Sequence, residues 1–410
     1  MKKYLVLILL FVLPLFSCSE KDEGSDPGPK KITLTPEQVE IVEGINAFGF
    51  DLFIEIADSE DPPDNIFISP LSVHMALSMA WNGAAGNTRE EMMEVLNYPA
   101  YDDEKINSAI KKLIEDLLSA DEKVESGIAN SIWYRDDFTV KDDFLEVNME
   151  FFNALVNAID FEDPETIDVI NHWVAEMTNN RIEEIIDNIE PEHVMFLINA
   201  VYFSGIWHKE FVEENTEERS FYLPGGEVKE VMTMETEGEF PYTVRDGYRV
   251  VELPYGHGNY CMLILLPDPE TGIEGLTGKL DNREWKEITG SLNGKRNINL
   301  RLPRFTFDFD TELEDILAAL GMEDAFNEQN ADFTRINAGG DLYISRVRHK
   351  SFIEVNEEGT EAAAVTSVEV GVVSYDPDRP VAFHVNRPFL FAIREKTTNT
   401  LLFLGRVMEP

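Results

Sequence analysis

The segment Glu357-Glu358-Gly359-Thr360-Glu361-Ala362-Ala363-Ala364-Val365-Thr366-Ser367 constrains this chain more than any other. It separates two strand-like runs, 342–356 and 381–385, near the C-terminus. After Gly359 it holds only Thr, Glu, Ala, Val and Ser, and the first proline downstream is Pro377. Loops ordinarily carry Gly, Pro, Asn and Asp, whose backbones and side chains satisfy turn geometry. Here the residues alternate instead. One face carries Thr360, Ala362, Ala364, Thr366, Val368 and Val370, and the other carries Glu361, Ala363, Val365, Ser367 and Glu369. The first face is uncharged, small at its start and β-branched later, as a strand buried on that face requires. The segment reads as a strand held outside its sheet, which is a store of free energy. Helix propensity from Glu357 to Ala364 is also good, so an exposed, partly helical loop is the plainer alternative.

The rest of the chain can supply a large body for such a strand. Of 410 residues, 43% are hydrophobic, and no Gly/Pro/Ser-rich linker interrupts 36–410, so a single domain over 36–410 is expected. The net charge of −44 excludes nucleic-acid binding, which needs cationic surface against phosphate. That acidity fits a solvated surface or faster association with basic partners. It leaves no basic patch for a heparin-like activator, and no cofactor is expected.

Lys2 and Lys3 precede an apolar run, Tyr4 to Phe16, too short for a membrane span, which needs ~20 residues. Leu15-Phe16-Ser17-Cys18 resembles a bacterial lipobox, which implies lipidation at Cys18, a signal peptide over 1–17 and a flexible tether over 18–35. Ordinary signal cleavage nearby is the alternative. The acidic run after Cys18 resembles the surface-export signal of Bacteroidetes lipoproteins. The expected location is the outer membrane at the cell surface, with the periplasmic face as alternative and the lipid as the only membrane contact. With Cys18 modified, Cys261 has no disulfide partner; in Asn259–Pro267 it reads as a small buried hydrophobe rather than a nucleophile.

Helical periodicity covers 36–57, 70–81, 88–96, 103–119, 142–151, 166–176 and 311–320, with a capping box at Thr88-Arg89-Glu90-Glu91. Strand-like runs are 128–135, 194–203, 227–234, 248–254, 260–266, 298–308, 342–356, 381–385, 389–395 and 400–407. Helices dominate the first half and strands the second, which predicts an α+β fold. Signatures of catalysis are missing: the sequence has no Gly-x-Ser-x-Gly elbow, His-Glu-x-x-His or phosphate loop. Its histidines (74, 172, 193, 208, 257, 349 and 384) lack zinc-ligand spacing. The chain is not expected to be an enzyme.

Several segments in order resemble the serpin family: Asn65–Val73, Asn82–Thr88, Ile170–Val174, Leu197–Trp207, Val251–Tyr255, Ala331–Phe333, Glu357–Ala364, Arg387–Phe391 and Phe403–Pro410. The resemblance covers nearly all of 40–410. It implies a metastable fold of helices and three β-sheets, with a large central sheet and an exposed reactive loop at about 357–380. A target serine protease cleaves the loop and is held as an acyl-enzyme while the loop inserts into the central sheet. The resemblance makes Glu357, Glu358, Gly359, Thr360, Glu361, Ala362, Ala363 and Ala364 the hinge. It gives Asn65, Ser69, Pro70, Ser72, Asn199 and His349 to a sheet-opening hydrogen-bond network, and places Gly205 and Trp207 at the breach under Thr360.

The family's spacing from hinge glycine to cleaved bond puts the reactive bond between Val373 and Ser374, bait for an elastase-like protease. Val372 is the close alternative, and Tyr375 would suit a chymotrypsin-like enzyme; subtilisin-like targets are also open. The chain is expected to be a monomer with the target protease as its covalent partner. The alternative function is a non-inhibitory serpin serving as a binding protein or mere protease substrate.

Overall fold

The computed structural model describes residues 28–59, 65–360 and 380–410. Helix α1 (Pro36–Ala57) begins at a capping box: Gln38 N–H donates to Thr35 Oγ1 and Thr35 N–H to Gln38 Oε1, at 3.3 and 2.9 Å. Its Ile41, Ile45, Phe48, Leu52 and Ile56 enter the core. Helix α2 (Pro70–Trp81), capped by Ser69, is buried at every position but Ala76. Helix α3 (Gly86–Val95) starts two residues ahead of the expected Thr88 cap, with no side-chain cap at Ala85. Thr88 is buried instead, and its hydroxyl accepts Asp332 N–H at 2.9 Å. A tertiary donor has taken the oxygen that the local motif offered. Helix α4 (Asp103–Leu118) turns Ile106, Ile110, Leu113 and Leu117 inward. Helices α5 (Asp142–Phe152) and α6 (Thr166–Met177) follow, and α7 (Gly272–Thr277) and α8 (Asn282–Ser291) are additions to the expected set. Helix α9 occupies only Glu314–Ala319 of the predicted 311–320.

The central sheet runs β10 (Phe305–Glu312), β11 (Arg348–Val355), β12 (Gly359–Thr360), β4 (Met195–Ile206), β2 (Val124–Arg135), β3 (Leu155–Ile159). The predicted run 298–308 divides at Arg304 between this sheet and the other, and the predicted 342–356 is strand only from Arg348. One face of the sheet borders the main core. On the other, α6 builds a small second core from Ile170, Val174, Ile186, Trp133, Ile198 and Ala200.

The second sheet runs β1 (Ile66–Ile68), β15 (Thr400–Val407), β14 (Phe389–Glu395), β8 (Tyr260–Pro267), β7 (Tyr248–Pro254), β6 (Val228–Arg245), β9 (Lys295–Pro303), β13 (Val381–His384), with β5 (Glu217–Tyr222) also on β6. Two of the three expected sheets are thus continuous. Strand β6 pairs β5 and β9 along its first part and β7 along Tyr242–Arg245. Its far half escapes the sequence reading because Glu235, Glu237 and Glu239 interrupt the apolar pattern. Glu235 is matched across the strands by Arg301 Nε at 3.1 Å and Asn299 Nδ2 at 2.8 Å.

The expected tether over 18–35 is not loose throughout. Lys30 N–H donates to Asn259 Oδ1 (2.6 Å), Asn259 Nδ2 returns to Lys30 O (2.7 Å), and Ile32 is buried. The packed body therefore reaches back to Lys30 rather than starting at Pro36.

Candidate functional site

Strand β12 is two residues long and sits between β4 and β11. Thr360 pairs antiparallel with Val355 on one side and Gly205 on the other, and Gly359 pairs with Ile206. Strands β4 and β11 are therefore parallel to each other. Beyond Thr360, no backbone pairing among the described residues joins them. The edges from Met195 to Ser204 and from Arg348 to Glu354 face across a slot that β12 has begun to fill.

The seat of β12 is built by side chains. A Cβ on Gly359 would lie 2.1 Å from Gly205 O, so only glycine allows this backbone approach. A Cβ on Gly205 would meet the Tyr255 ring at 2.9 Å. Trp207 stacks on Tyr255 with centroids 4.5 Å apart, donates its N–H to Glu358 O (2.8 Å) and its Nε1–H to Asn356 O (2.9 Å). Thr360 is buried, with its Oγ1 2.6 Å from Tyr255 Oη. Glu357 is buried too; Arg304 Nε donates to it at 2.7 Å and Thr216 Oγ1 adds a short hydrogen bond. Glu358 has no such partner among the described residues: partial burial, then Glu210, Glu213 and Glu357, raise its carboxyl above the usual range. Tyr255, Asn356, Arg304 and Thr216 were not singled out by sequence. Tyr255 was legible only as the end of a matching segment.

Lower in the slot, four of the six proposed network residues meet. Ser69 N–H donates to His349 Nε2 (3.2 Å), Ser69 Oγ to Leu402 O (2.8 Å) and Ser72 N–H to Ser69 Oγ (3.2 Å). Ser72 Oγ donates to Asn199 Oδ1, whose Nδ2 donates to Asn130 Oδ1 at 2.6 Å, and Asn130 Nδ2 reaches Phe152 O at 2.7 Å. The chain links α2, β4 and β2, and His349 brings in β11. Burial holds the His349 imidazole at about 4, well below its ordinary 6.5, against a weak opposing pull from Asp310. Pro70 contributes shape at the start of α2, where a Cβ on Gly49 would meet it at 2.5 Å. Asn65 lies apart from the network. Its Oδ1 accepts Met408 N–H (2.7 Å) and its Nδ2 donates to Glu409 O (2.8 Å), pinning the C-terminus to the start of β1. Asn130 is the member that sequence reasoning missed.

Two cavities border the slot. A cavity of about 20 Å³ lies by Thr360, between Phe203 of β4 and Ser351 of β11. A larger one, about 400 Å³, opens where Met195–Asn199 of β4 and 342–349 diverge over α2. Glu361, Ala362, Ala363, Ala364, Val373, Ser374 and Cys18 lie outside the described residues. Cys261 is fully buried, and burial pushes its thiol up to about 12, which removes it as a nucleophile at neutral pH.

The family model for serpins (serine protease inhibitors) matches residues 43–410. The chain belongs to the serpin family. An uncharacterized serpin-like protein of Thermococcus kodakarensis is 36% identical over 90% of this chain and 86% of its own length. The leukocyte elastase inhibitor of Equus caballus is 34% identical over 88% of this serpin and 97% of its own length. Among solved structures, the thermophilic serpin tengpin in its native state superposes with a TM-score of 0.83 at 32% identity, covering 93% of this chain and 96% of tengpin. The expected fold is thereby established.

Proposed function

We propose that this serpin traps serine proteases as a suicide substrate. The observation that carries the reading is β12: Gly359 and Thr360 already pair with β4 and β11 at the end of an otherwise unpaired slot. The protease serine Oγ attacks the Val373 carbonyl, the bond to Ser374 breaks, and the Ser374 amine leaves with the proton. The acyl ester awaits water. Cleavage frees the hinge to extend β12 down the slot, where it gains two ladders of backbone hydrogen bonds, every bond worth ~1 kcal/mol net. That gain, with burial of the Thr360 face, offsets the ordering of the loop. The protease is carried along before water reaches the ester.

The same reading makes the target elastase-like, because valine suits a small apolar primary pocket; the equine relative's name points the same way. Cleavage follows Val373, and the protein acts as a monomer. Cys18 carries the lipid of a Bacteroidetes-type lipoprotein held at the cell surface. Incubation with pancreatic elastase tests the core of it. A gel-stable complex and a released fragment beginning at Ser374 are expected. Loop cleavage without a complex would overturn trapping in favour of the substrate role, and a fragment beginning elsewhere would move the reactive bond.

A further inference from the structure

The sequence holds two Asn-Gly pairs, Asn82-Gly83 and Asn293-Gly294, and the fold treats them oppositely. Asn82, at the end of α2, is 3% exposed. Its Nδ2 donates to Asn107 Oδ1 at 3.3 Å, and Asn107 Nδ2 returns to its Oδ1 at 2.9 Å. Gly83 N–H donates to Ala80 O at 2.8 Å, and a Cβ on Gly83 would lie 2.3 Å from Ile336. The side-chain amide and the backbone that follows it are both locked.

Asn293 and Gly294 lie in the turn between α8 and β9, and both are exposed. Helix α8 ends at Ser291, and the β9 ladder opens only with Lys295 against Pro241. The Gly294 N–H therefore belongs to neither set of regular hydrogen bonds, and the Gly294 carbonyl takes Tyr242 N–H at a long 3.4 Å. The Asn293 amide makes one short hydrogen bond, from Nδ2 to Gly290 O, where water competes for both exposed groups. A Cβ on Gly294 would meet nothing within 4 Å. A glycine nitrogen, with no side chain beside it and a wide choice of φ and ψ, can turn onto the carboxamide carbon of the residue before it.

We infer that Asn293-Gly294 is a site of spontaneous covalent modification, at which the asparagine becomes isoaspartate and aspartate. The Gly294 nitrogen attacks Asn293 Cγ, a C–N bond forms, and the Cγ–Nδ2 bond breaks. Ammonia leaves with the proton that the Gly294 nitrogen gives up. Water then opens the ring imide at either carbonyl, and nothing is oxidised or reduced. Opening at the backbone carbonyl routes the chain through the side-chain carbon, which adds one methylene to the backbone. Either product sets a new carboxylate next to Lys295 and Arg296, where β9 enters the second sheet. The inference does not rest on the trapping reaction proposed above.

The test holds the intact protein, without protease, at physiological temperature in mildly alkaline buffer and maps tryptic peptides by mass over time. The Glu287–Lys295 peptide should gain the mass of aspartate and split into two isomers. The Ile32–Arg89 peptide, which carries Asn82, should change at least about tenfold more slowly, because Asn82 reacts only from locally opened molecules. In guanidinium chloride the two should convert at similar rates. Gly294→Ala crowds the attacking nitrogen in a turn with room for the methyl group, and should slow conversion at Asn293 severalfold. Thermal melting checks that this variant is folded. An unchanged Asn293, or an Asn82 that converts as fast in the native protein, would overturn the site. A difference that persists in denaturant would overturn the fold as its cause. An unaltered rate in folded Gly294→Ala would overturn Gly294 as the attacking nitrogen. Because no protease is present, failure here leaves the trapping test standing by itself.

Discussion

In the second sheet every residue of β8, β14 and β15 is buried, whereas in the central sheet β4 and β11 turn unpaired edges toward each other. The first is a run of aliphatic and aromatic side chains closed on both faces, with Phe67 stacked on Phe403 at 5.0 Å and on Phe391 at 5.6 Å. It also holds a buried ion pair: Arg394 donates to Glu252 at 2.7 Å and Lys396 joins at 2.5 Å, which holds the Glu252 carboxyl below its ordinary value against burial. The central sheet is held across its gap by short polar chains, a two-residue strand and surface ion pairs. Dense packing and unpaired strand edges thus lie in different sheets. A sheet saturated with contacts can stay fixed while its neighbour opens.

The comparison breaks most sharply at Gly405. A Cβ there would lie 2.3 Å from the Phe391 ring and 3.1 Å from Ile66 O, with close-packed strands on both sides. Gly405→Val should cost about 4 kcal/mol, beyond the ordinary range for overpacking because backbone blocks one side. Denaturant titration should show a collapsed midpoint or no folded protein. A variant within 1 kcal/mol of wild type, a threshold near the usual surface-substitution effect, would mean that the packed sheet is not the rigid half.

Thr360→Arg addresses the other sheet. The buried hydroxyl against Tyr255 is replaced by a cation that has to follow the strand inward, or hold the hinge out. An unpaired buried charge costs at least about 2 kcal/mol, about thirtyfold in the partition between trapping and turnover. Elastase should then cleave the loop with little complex on a gel, and the melting midpoint should fall as well, because Thr360 is already buried before cleavage. Undiminished complex would show that Thr360 does not lead insertion.

These two positions also mark how far the sequence reaches. Helix α1 is legible because its cap, its proline and its apolar stripe are all local, and β8, β14 and β15 are legible as unbroken apolar runs. Hinge and slot are a different matter. That Gly359 is a glycine can be read; that Gly205 O is the atom it must avoid depends on a strand more than a hundred residues earlier. Asn65 and Ser69 sit close in one matching segment, yet one pins the C-terminus and the other feeds His349. Thr88 fits a capping box and is drawn away by Asp332. In each case the partner that decides the role is remote in sequence, so composition and spacing cannot name it.

A smaller effect separates the sheets by pH. His349 in the slot and His74 within α2 are both held near 4 by burial, against 6.5 when unfolded. Between those values the unfolded chain binds more protons, so each histidine's share of stability is intact above pH 6.5 and is lost as pH falls toward 4. By pH 4.5 each removes roughly 2 kcal/mol. His349→Gln should flatten the fall in urea midpoint between pH 7 and pH 4.5 by that amount, leaving the share of His74. An unaltered slope would mean that the network loosens to admit the proton without loss of the fold.

The smallest effect belongs to the ion pairs that strap the slot from outside. Asp187 lies in the connection from α6 to β4. Arg346 Nη1 donates to it at 2.7 Å and Arg348 Nη1 at 3.0 Å, both from the β11 side, and Glu312 and Asp310 hold the same arginines at 2.8 Å. Hydrogen bonding to Arg346, then the charges of both arginines, keep the Asp187 carboxyl near 2, so the strap carries full charge at every pH at which the protein is used. The pairs are partly exposed, so each is worth at most about 1 kcal/mol and is weakened by salt. In the mechanism proposed above, insertion parts β4 from β11, and with them the elements these pairs join. Asp187→Asn should therefore speed insertion two- to threefold at low salt, read as the rate of complex formation at saturating elastase, where association no longer limits. Wild type should approach the variant's rate as salt rises, and the variant should respond little. Equal salt responses in both would place the barrier wholly in the buried network, and would leave the contrast between the two sheets a matter of packing alone.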